Sequence, residues 1–480
     1  MLLRAMLLFV VAMCGSTVCL AERSSSNDSS TTRPNIVFLF TDDQAPWAIG
    51  VSEYPHAKTP HMDRLFREGA YLVNAFTTTP VCSPSRAGLM TSRYGSEVGI
   101  TDWINPRKEP EHGLDPRITT WPVLLANAGY KTALVGKWHL GTQDRFHPTK
   151  FGFQHFMGFR SGGSRPKDPV LEVDGKERKV AGLLPDILVD DAISFVRRQQ
   201  HERFLLSLHF RAPHGPWLPV AEADWSPFEN LDPIIPNPNY PKLDVPRVKM
   251  KTREYLASVA SVDRNVGRLL EELDQLNLTD KTIVIFSSDH GYNMGHNGIW
   301  HKGNGHWILT DPPPATENIP RGQRPNMYDH SLRVPTAVRW PGVVEPGTTI
   351  THSLSNLDWF PTLLEMAGVA VPKGLLLRGR SFVPLLEGEP VDWDDDFYAE
   401  YSTHHQSKTH MRMYRTPTWK LIRDFRNAGR DELYHLEADV AEAHNLIDSQ
   451  QPEAVKMRAE LNQKLLARMR ELDDPVLKGL

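Results

Sequence analysis

The sequence predicts an α/β fold with a large, mostly parallel central sheet flanked by helices, and three features predict it. A continuous apolar run at residues 36–40 reads as a strand covered on both faces, and residues 282–286 read as another buried-type strand. An apolar stripe from Leu256 through Val259, Val262, Val266, Leu269 and Leu273 marks a long helix over residues 254–276. Strand and helix signals also alternate along the chain, the pattern of parallel strands joined by helical crossovers.

The first residues stand outside that pattern. Arg4 gives a positive start, residues 5–13 form an apolar core too short for a stable bilayer anchor, and Ala21 is a plausible cleavage point. We therefore expect a signal peptide at 1–21, a disordered polar leader at 22–33, and export to the periplasm or extracellular space with no stable membrane span. A buried N-terminal helix or a lipid anchor on Cys14 is the alternative.

The strand at 36–40 ends in Thr41-Asp42-Asp43. Helices are expected at 61–70 and after Thr120, where Pro122 suits a first turn. A strand at 132–135 precedes a loop at 136–139. An amphipathic helix at 188–198 and a strand at 204–210 lead into Ala212-Pro213-His214. The strand at 282–286 ends in Ser287-Ser288-Asp289-His290. A Gly/Pro-rich excursion at 303–326, a strand at 336–340 and a helical segment at 354–366 containing Pro361 complete a catalytic domain at 34–380. Beyond it, an antiparallel pair at 414–425 and a helix at 452–472 indicate a smaller C-terminal α+β subdomain at 381–480. Ligands of open α/β sheets sit beyond the carboxyl ends of the strands, where the polar clusters lie.

A formal net charge of -4 over 480 residues, with no basic stripe, argues against a nucleic-acid partner. Any attraction for an anionic substrate must be local to a pocket. The cysteines are Cys14, Cys19 and Cys82, so the processed chain keeps one thiol and forms no internal disulfide. A lone thiol in an exported protein is either a small buried residue or a chemical group.

Cys82 begins Cys82-Ser83-Pro84-Ser85-Arg86, and Pro84 suits a first helical turn. Backbone N–H groups at a helix start favour an anion, and Arg86 adds positive charge. This run resembles the Cys-x-Pro-Ser-Arg signature of the type I, formylglycine-dependent sulfatases of the alkaline phosphatase-like superfamily. The resemblance implies that Cys82 is oxidised to formylglycine by a formylglycine-generating or equivalent maturation enzyme. One hydroxyl of the hydrated aldehyde is then the nucleophile, and the second expels sulfate.

Asp42, Asp43 and Asp289 would repel one another at one site unless a cation lay between them, and oxygen-rich ligation suits Ca²⁺ or Mg²⁺. The resemblance implies one Ca²⁺ held by Asp42, Asp43, Asp289, His290 and an oxygen of modified Cys82. Many family members carry Asn where this chain has His290. Further matching blocks assign Lys137 to sulfate binding, His139 to the formylglycine diol, His214 to the sulfate and leaving oxygen, and Lys302 to the ester oxygen. The chain has Tyr328-Asp329 where the family often has Tyr-Glu.

Aromatic residues beside these motifs suggest a sugar ring as the carrier. Trp217, Trp300, Trp103 and Trp307 are candidate stacking residues, with Arg211 and His301 as anion contacts. Residues 297–305 resemble bacterial glycosaminoglycan-degrading sulfatases, which points to a sulfated saccharide, narrowly a 2-O-sulfated uronate. A phosphonate or phosphate monoester hydrolase of the same superfamily and an inactive carbohydrate-binding homologue are the alternatives.

Overall fold

The computed structural model describes residues 33–479. The expected signal peptide, and all of the leader but Arg33, lie outside the described residues. Ten strands form the main sheet. They are β1 (Asn35–Thr41), β2 (Ala70–Leu72), β3 (Lys131–Lys137), β4 (His155–Phe159), β5 (Val170–Val173), β6 (Lys176–Lys179), β7 (Phe204–His209), β8 (Thr282–Ser288), β9 (Ala337–Arg339) and β10 (Thr348–Ile350). Their spatial order is β10-β2-β9-β8-β1-β7-β3-β4-β5-β6. The central five, β8 to β4, are parallel, as are β10 and β2. Strand β9 runs antiparallel to both its neighbours, and β5 and β6 fold back as an antiparallel edge, so the sheet is mixed.

The run 36–40 is apolar throughout because both its faces are covered. Ile36, Phe38 and Phe40 share a core with α3 (Trp121–Asn127) and α6 (Trp359–Met366). Val37 and Leu39 pack on the opposite face against α1 (Pro60–Glu68), α4 (Leu184–Gln199) and α5 (Val245–Gln275). Each such side chain contributes about 1.5–3 kcal/mol by leaving water. Gly136 in β3 allows the close approach of β7: a Cβ there would lie 1.9 Å from the His209 carbonyl oxygen, and its φ is +114°.

Several expected boundaries change. Gly136 and Lys137, expected in a loop, complete β3. Helix α5 starts nine residues before Glu254, where the Asp244 side chain accepts from Arg247 N; its first turns carry no apolar stripe that would have marked them. In 354–366 the helix begins only at Trp359, so Pro361 lies in the first turn, where its missing N–H leaves no bond unmade. The expected pair at 414–425 belongs to a four-stranded antiparallel sheet of β11 (Phe397–Thr403), β12 (Thr409–Arg415), β13 (Trp419–Asp424) and β14 (Glu432–His435). The last helix is α7 (Pro452–Glu471). The small sheet shares a core with the larger part: Phe76, Val81, Met327 and Leu332 pack with Phe397, Tyr401, Met413 and Ile422. Among the described residues, no helix is long and apolar enough to cross a membrane.

Candidate active site

Four neighbouring parallel strands deliver polar residues to the carboxyl-terminal end of the sheet. Asp42 and Asp43 follow β1, Lys137 ends β3, Arg211 and His214 follow β7, and Asp289 and His290 follow β8. The backbone turns sharply at Asp43, whose φ is 67°. That left-handed turn is tied on several sides. Asp43 N donates to Asp289 Oδ1 at 3.2 Å, Gln44 N donates to Ser288 Oγ at 3.0 Å, and Tyr255 donates its hydroxyl to the Asp43 carbonyl at 2.6 Å.

Cys82 is the first residue of α2 (Cys82–Thr91), a helix whose every residue is buried. Its Sγ lies 3.6 Å from Asp42 Oδ1, 3.5 Å from His290 Nε2 and 3.0 Å from Lys302 Nζ. Single donor atoms of Asp42, Asp43, Cys82 and His290 all fall within 4.8 Å of one another. Asp289 joins them: its Oδ1 is 3.3 Å from His290 Nε2. The expected nucleophile and the four expected metal ligands thus share one cluster, sealed from water.

Cations balance the acids. Lys137 Nζ donates to Asp42 Oδ2 at 2.5 Å, Lys302 Nζ to Asp43 Oδ1 at 2.6 Å, and Arg86 Nε to Asp289 Oδ2 at 2.9 Å. Burial pushes the Asp42 carboxyl up, but Lys137, His214 and Lys302 outweigh it and hold the group well below the usual range. Burial wins at Asp43, which rises to about 7 despite Lys302 and His290. The Cys82 thiol is burdened by burial, yet Lys137 and Lys302 bring it well below its ordinary value. The pocket therefore favours negative charge on residue 82.

Two histidines flank that position. His139 Nε2 donates to the Ile104 carbonyl at 3.1 Å, which leaves Nδ1 as the acceptor, buried and without a hydrogen-bond partner among the described residues; Cys82 is one of the groups that act on this ring. Burial and Lys137 keep this ring neutral. His214 Nδ1 donates to the Gly215 carbonyl at 2.7 Å, leaving Nε2 free, and burial with Lys302 lowers the ring to about 3.

Expected saccharide contacts are less uniform. Trp217 is 5% exposed, and its indole N–H is spent on the Pro213 carbonyl at 2.7 Å. It is a core residue, and the expectation of a stacking face there is corrected: its rings are edged by Tyr255, Tyr292 and Trp300. Arg211 is also buried and donates to the Pro216 carbonyl at 2.9 Å, while its Nε has no partner among the described residues. Trp300 and His301 are half-buried, and His301 lies 6.5 Å from His214 between ring centroids. Trp103 packs 4.5 Å from His405, and Trp307 lies under Arg324.

Sequence reasoning missed His209, which meets Arg86 NH1 at 3.4 Å from behind, and Ser85, which donates to the Asp289 carbonyl. It also missed Arg247 and Lys251 near Trp300. His209 lies inside an apolar strand, where nothing marks a histidine as part of a site.

Comparison with known proteins agrees with this geometry. The sulfatase family model matches residues 34–369, and the C-terminal model of N-sulphoglucosamine sulphohydrolase matches residues 323–471. An N-acetylglucosamine-6-O-sulfatase of Bacteroides thetaiotaomicron is 27% identical, over 96% of this chain and 90% of the relative. An ulvan-active sulfatase of Formosa agariphila is 28% identical, over 92% and 82%. A solved structure in complex with its substrate D-glucosamine-2-N,6-O-disulfate superposes with a TM-score of 0.78 at 26% identity, covering 92% of this chain and 98% of that one. With the family match covering most of the chain and the fold in agreement, this protein belongs to the sulfatase family and is a sulfatase.

Proposed function

We propose that the chain releases sulfate from a sulfated saccharide, using residue 82 as a formylglycine hydrate and one Ca²⁺ beside it. The observation that carries this reading is the meeting, at the start of α2, of residue 82 with Asp42, His290 and Lys302 in one buried cluster. The relatives' names support a saccharide: they act on N-acetylglucosamine-6-O-sulfate and ulvan.

The residues fit a hard cation. Asp43 Oδ2 is buried without a partner among the described residues, and three carboxylates with one imidazole form an oxygen-rich donor set. Asp42, Asp43, Asp289, His290 and an oxygen of residue 82 would hold it. When bound, the ion supplies positive charge to the ester and to the hydroxyls of residue 82.

The chain's own residues do the rest. Lys137 places its ammonium group on the sulfate and Lys302 on the ester oxygen, where charge grows during bond cleavage. His139 Nδ1 is the base that takes a proton from residue 82, its tautomer fixed by the Ile104 carbonyl. His214 Nε2 serves the leaving oxygen, and the negative charge of the entering sulfate favours its protonation. Arg86 orients Asp289 and the carboxyl end of β3, through the Lys137 carbonyl at 3.1 Å.

In this reading the catalytic domain at 34–380 is completed by the flank at 381–480, and the chain is exported after its signal is removed. A 2-O-sulfated uronate is the narrower substrate. The test is sulfate release from a panel of defined sulfated saccharides by chain matured with a formylglycine-generating enzyme. Release from at least one of them is expected. No release from any, with fast turnover of a steroid sulfate, would end the saccharide reading.

A further inference from the structure

Beyond the nucleophile, a line of rings leads outward. His214 neighbours His301 at 6.5 Å, His301 neighbours His306 at 5.3 Å, and His306 neighbours Trp300 at 5.4 Å between centroids. Over Trp300 sits the Lys251 ammonium, 3.7 Å from the ring centroid and 5.1 Å from that of Trp217. The Arg247 guanidinium lies 5.9 Å from the Trp300 centroid. Both cations project from the first turns of α5.

This group is electrostatically unusual. Lys242 and Lys249, close by in sequence, find Asp311 and Asp232 at 2.6 and 2.5 Å. Among the described residues, neither Lys251 nor Arg247 makes an ion pair with a carboxylate; Glu254 on the same helix bears on Lys251 only at longer range. Burial and Arg247 both lower the Lys251 ammonium, and burial, Arg247 and Lys251 lower the His306 ring. His306 Nδ1 is engaged by Gln323 Nε2 at 3.1 Å, which leaves Nε2 as a donor. Cation–π contact with Trp300 and Trp217 holds the lysine in place without neutralising it. A half-buried ammonium and an exposed guanidinium held together without an acid, beside a half-buried imidazole N–H donor, form a site ready for an anion.

We propose that Lys251, Arg247 and His306 form a second anion subsite, so that the substrate carries a fixed negative group besides the scissile sulfate. That group is a carboxylate or another sulfate, on the same or the adjoining sugar. The inference rests on the saccharide-sulfatase reading and makes it narrower. It gives Trp300 a role distinct from sugar stacking: its face is the platform for Lys251.

The test compares wild type with the double variant Lys251→Gln/Arg247→Gln, whose fold is checked by thermal unfolding. Four probes are used: 4-nitrophenyl sulfate, a sulfated disaccharide with a uronate carboxylate, the same disaccharide with that carboxyl reduced, and a disulfated disaccharide. For the doubly anionic sugars, KM should rise about 10–100-fold in the variant with kcat nearly constant. Their kcat/KM should also fall more steeply with added NaCl in wild type than in the variant. Turnover of 4-nitrophenyl sulfate should keep its wild-type constants. Which doubly anionic sugar suffers separates a carboxylate from a second sulfate. The proposal is overturned if every probe loses equally, if none loses, or if wild type prefers the carboxyl-reduced sugar. Wild type that turns over only 4-nitrophenyl sulfate refutes the saccharide reading itself, and the second subsite falls with it.

Discussion

Arg86 and Asp289 meet across the site, guanidinium Nε to carboxylate Oδ2 at 2.9 Å, with both side chains closed off from water. The pair ties the first turns of α2 to the end of β8, so the helix start that carries residue 82 cannot move without the acid that faces it. Replacing Arg86 by Met leaves Asp289 without its hydrogen-bonded cation in a buried position. The expected loss is about 3 kcal/mol of stability, measured by urea unfolding, with kcat falling at least about a hundredfold. Arg86→Lys should recover part of the stability, since it keeps the charge but not the guanidinium's reach to the Lys137 carbonyl and His209.

Lys302 touches both Asp43 and the sulfur of residue 82. Lys302→Met should lower kcat by about 10²–10³ while KM changes little, because the ammonium matters most as charge develops on the ester oxygen. Steady-state kinetics on an aryl sulfate decide this. A rise in KM alone would place Lys302 in ground-state binding instead.

Asp263 offers a pH test away from the catalytic centre. It accepts the Met62 N–H at 2.7 Å and the His61 N–H at 3.4 Å at the start of α1. Burial pushes its carboxyl up from 3.8 to about 7. Between those values the folded chain holds a proton that the unfolded chain has released. Stability from this group is therefore full below about pH 4 and is lost as the pH rises towards 7. Asp263→Asn should flatten that part of the profile by a few kcal/mol, read from unfolding midpoints at pH 4.5 and 7.5.

How far the sequence spoke depended on what each residue's role leaves visible. Strands β1 and β8 announced themselves because both faces are buried, which makes their central positions apolar in succession. Strands β2 and β10 have three residues each, too few for a pattern. The acids at 42, 43 and 289 drew attention only together with the Cys82 signature, since paired acids after a strand are more often loop or capping residues. Trp217 misled because a tryptophan beside a motif reads alike whether its face is open or packed. Arg247 and Lys251 were silent for a related reason: charged residues at a helix start are ordinary in sequence, and only the missing acids around them set these two apart.

The C-terminal sheet has its own buried pair. Arg412 gives two hydrogen bonds to Asp474, 2.5 Å from Nε and 2.9 Å from NH2, and both side chains are shielded from water. Arg412→Ala should cost about 3–5 kcal/mol, because it leaves a buried carboxylate unpaired. The double variant Arg412→Met/Asp474→Leu should recover much of that loss, as differential scanning calorimetry would show.

The account stands on residue 82 reaching its place as an aldehyde rather than a thiol. Mass spectrometry of the peptide containing residue 82, from fully active enzyme made alongside a formylglycine-generating enzyme, tests this most directly. The predicted result is the lighter aldehyde at that position, captured by a hydrazide probe, with activity proportional to its fraction. A homogeneous thiol in enzyme that releases sulfate at full rate would contradict it.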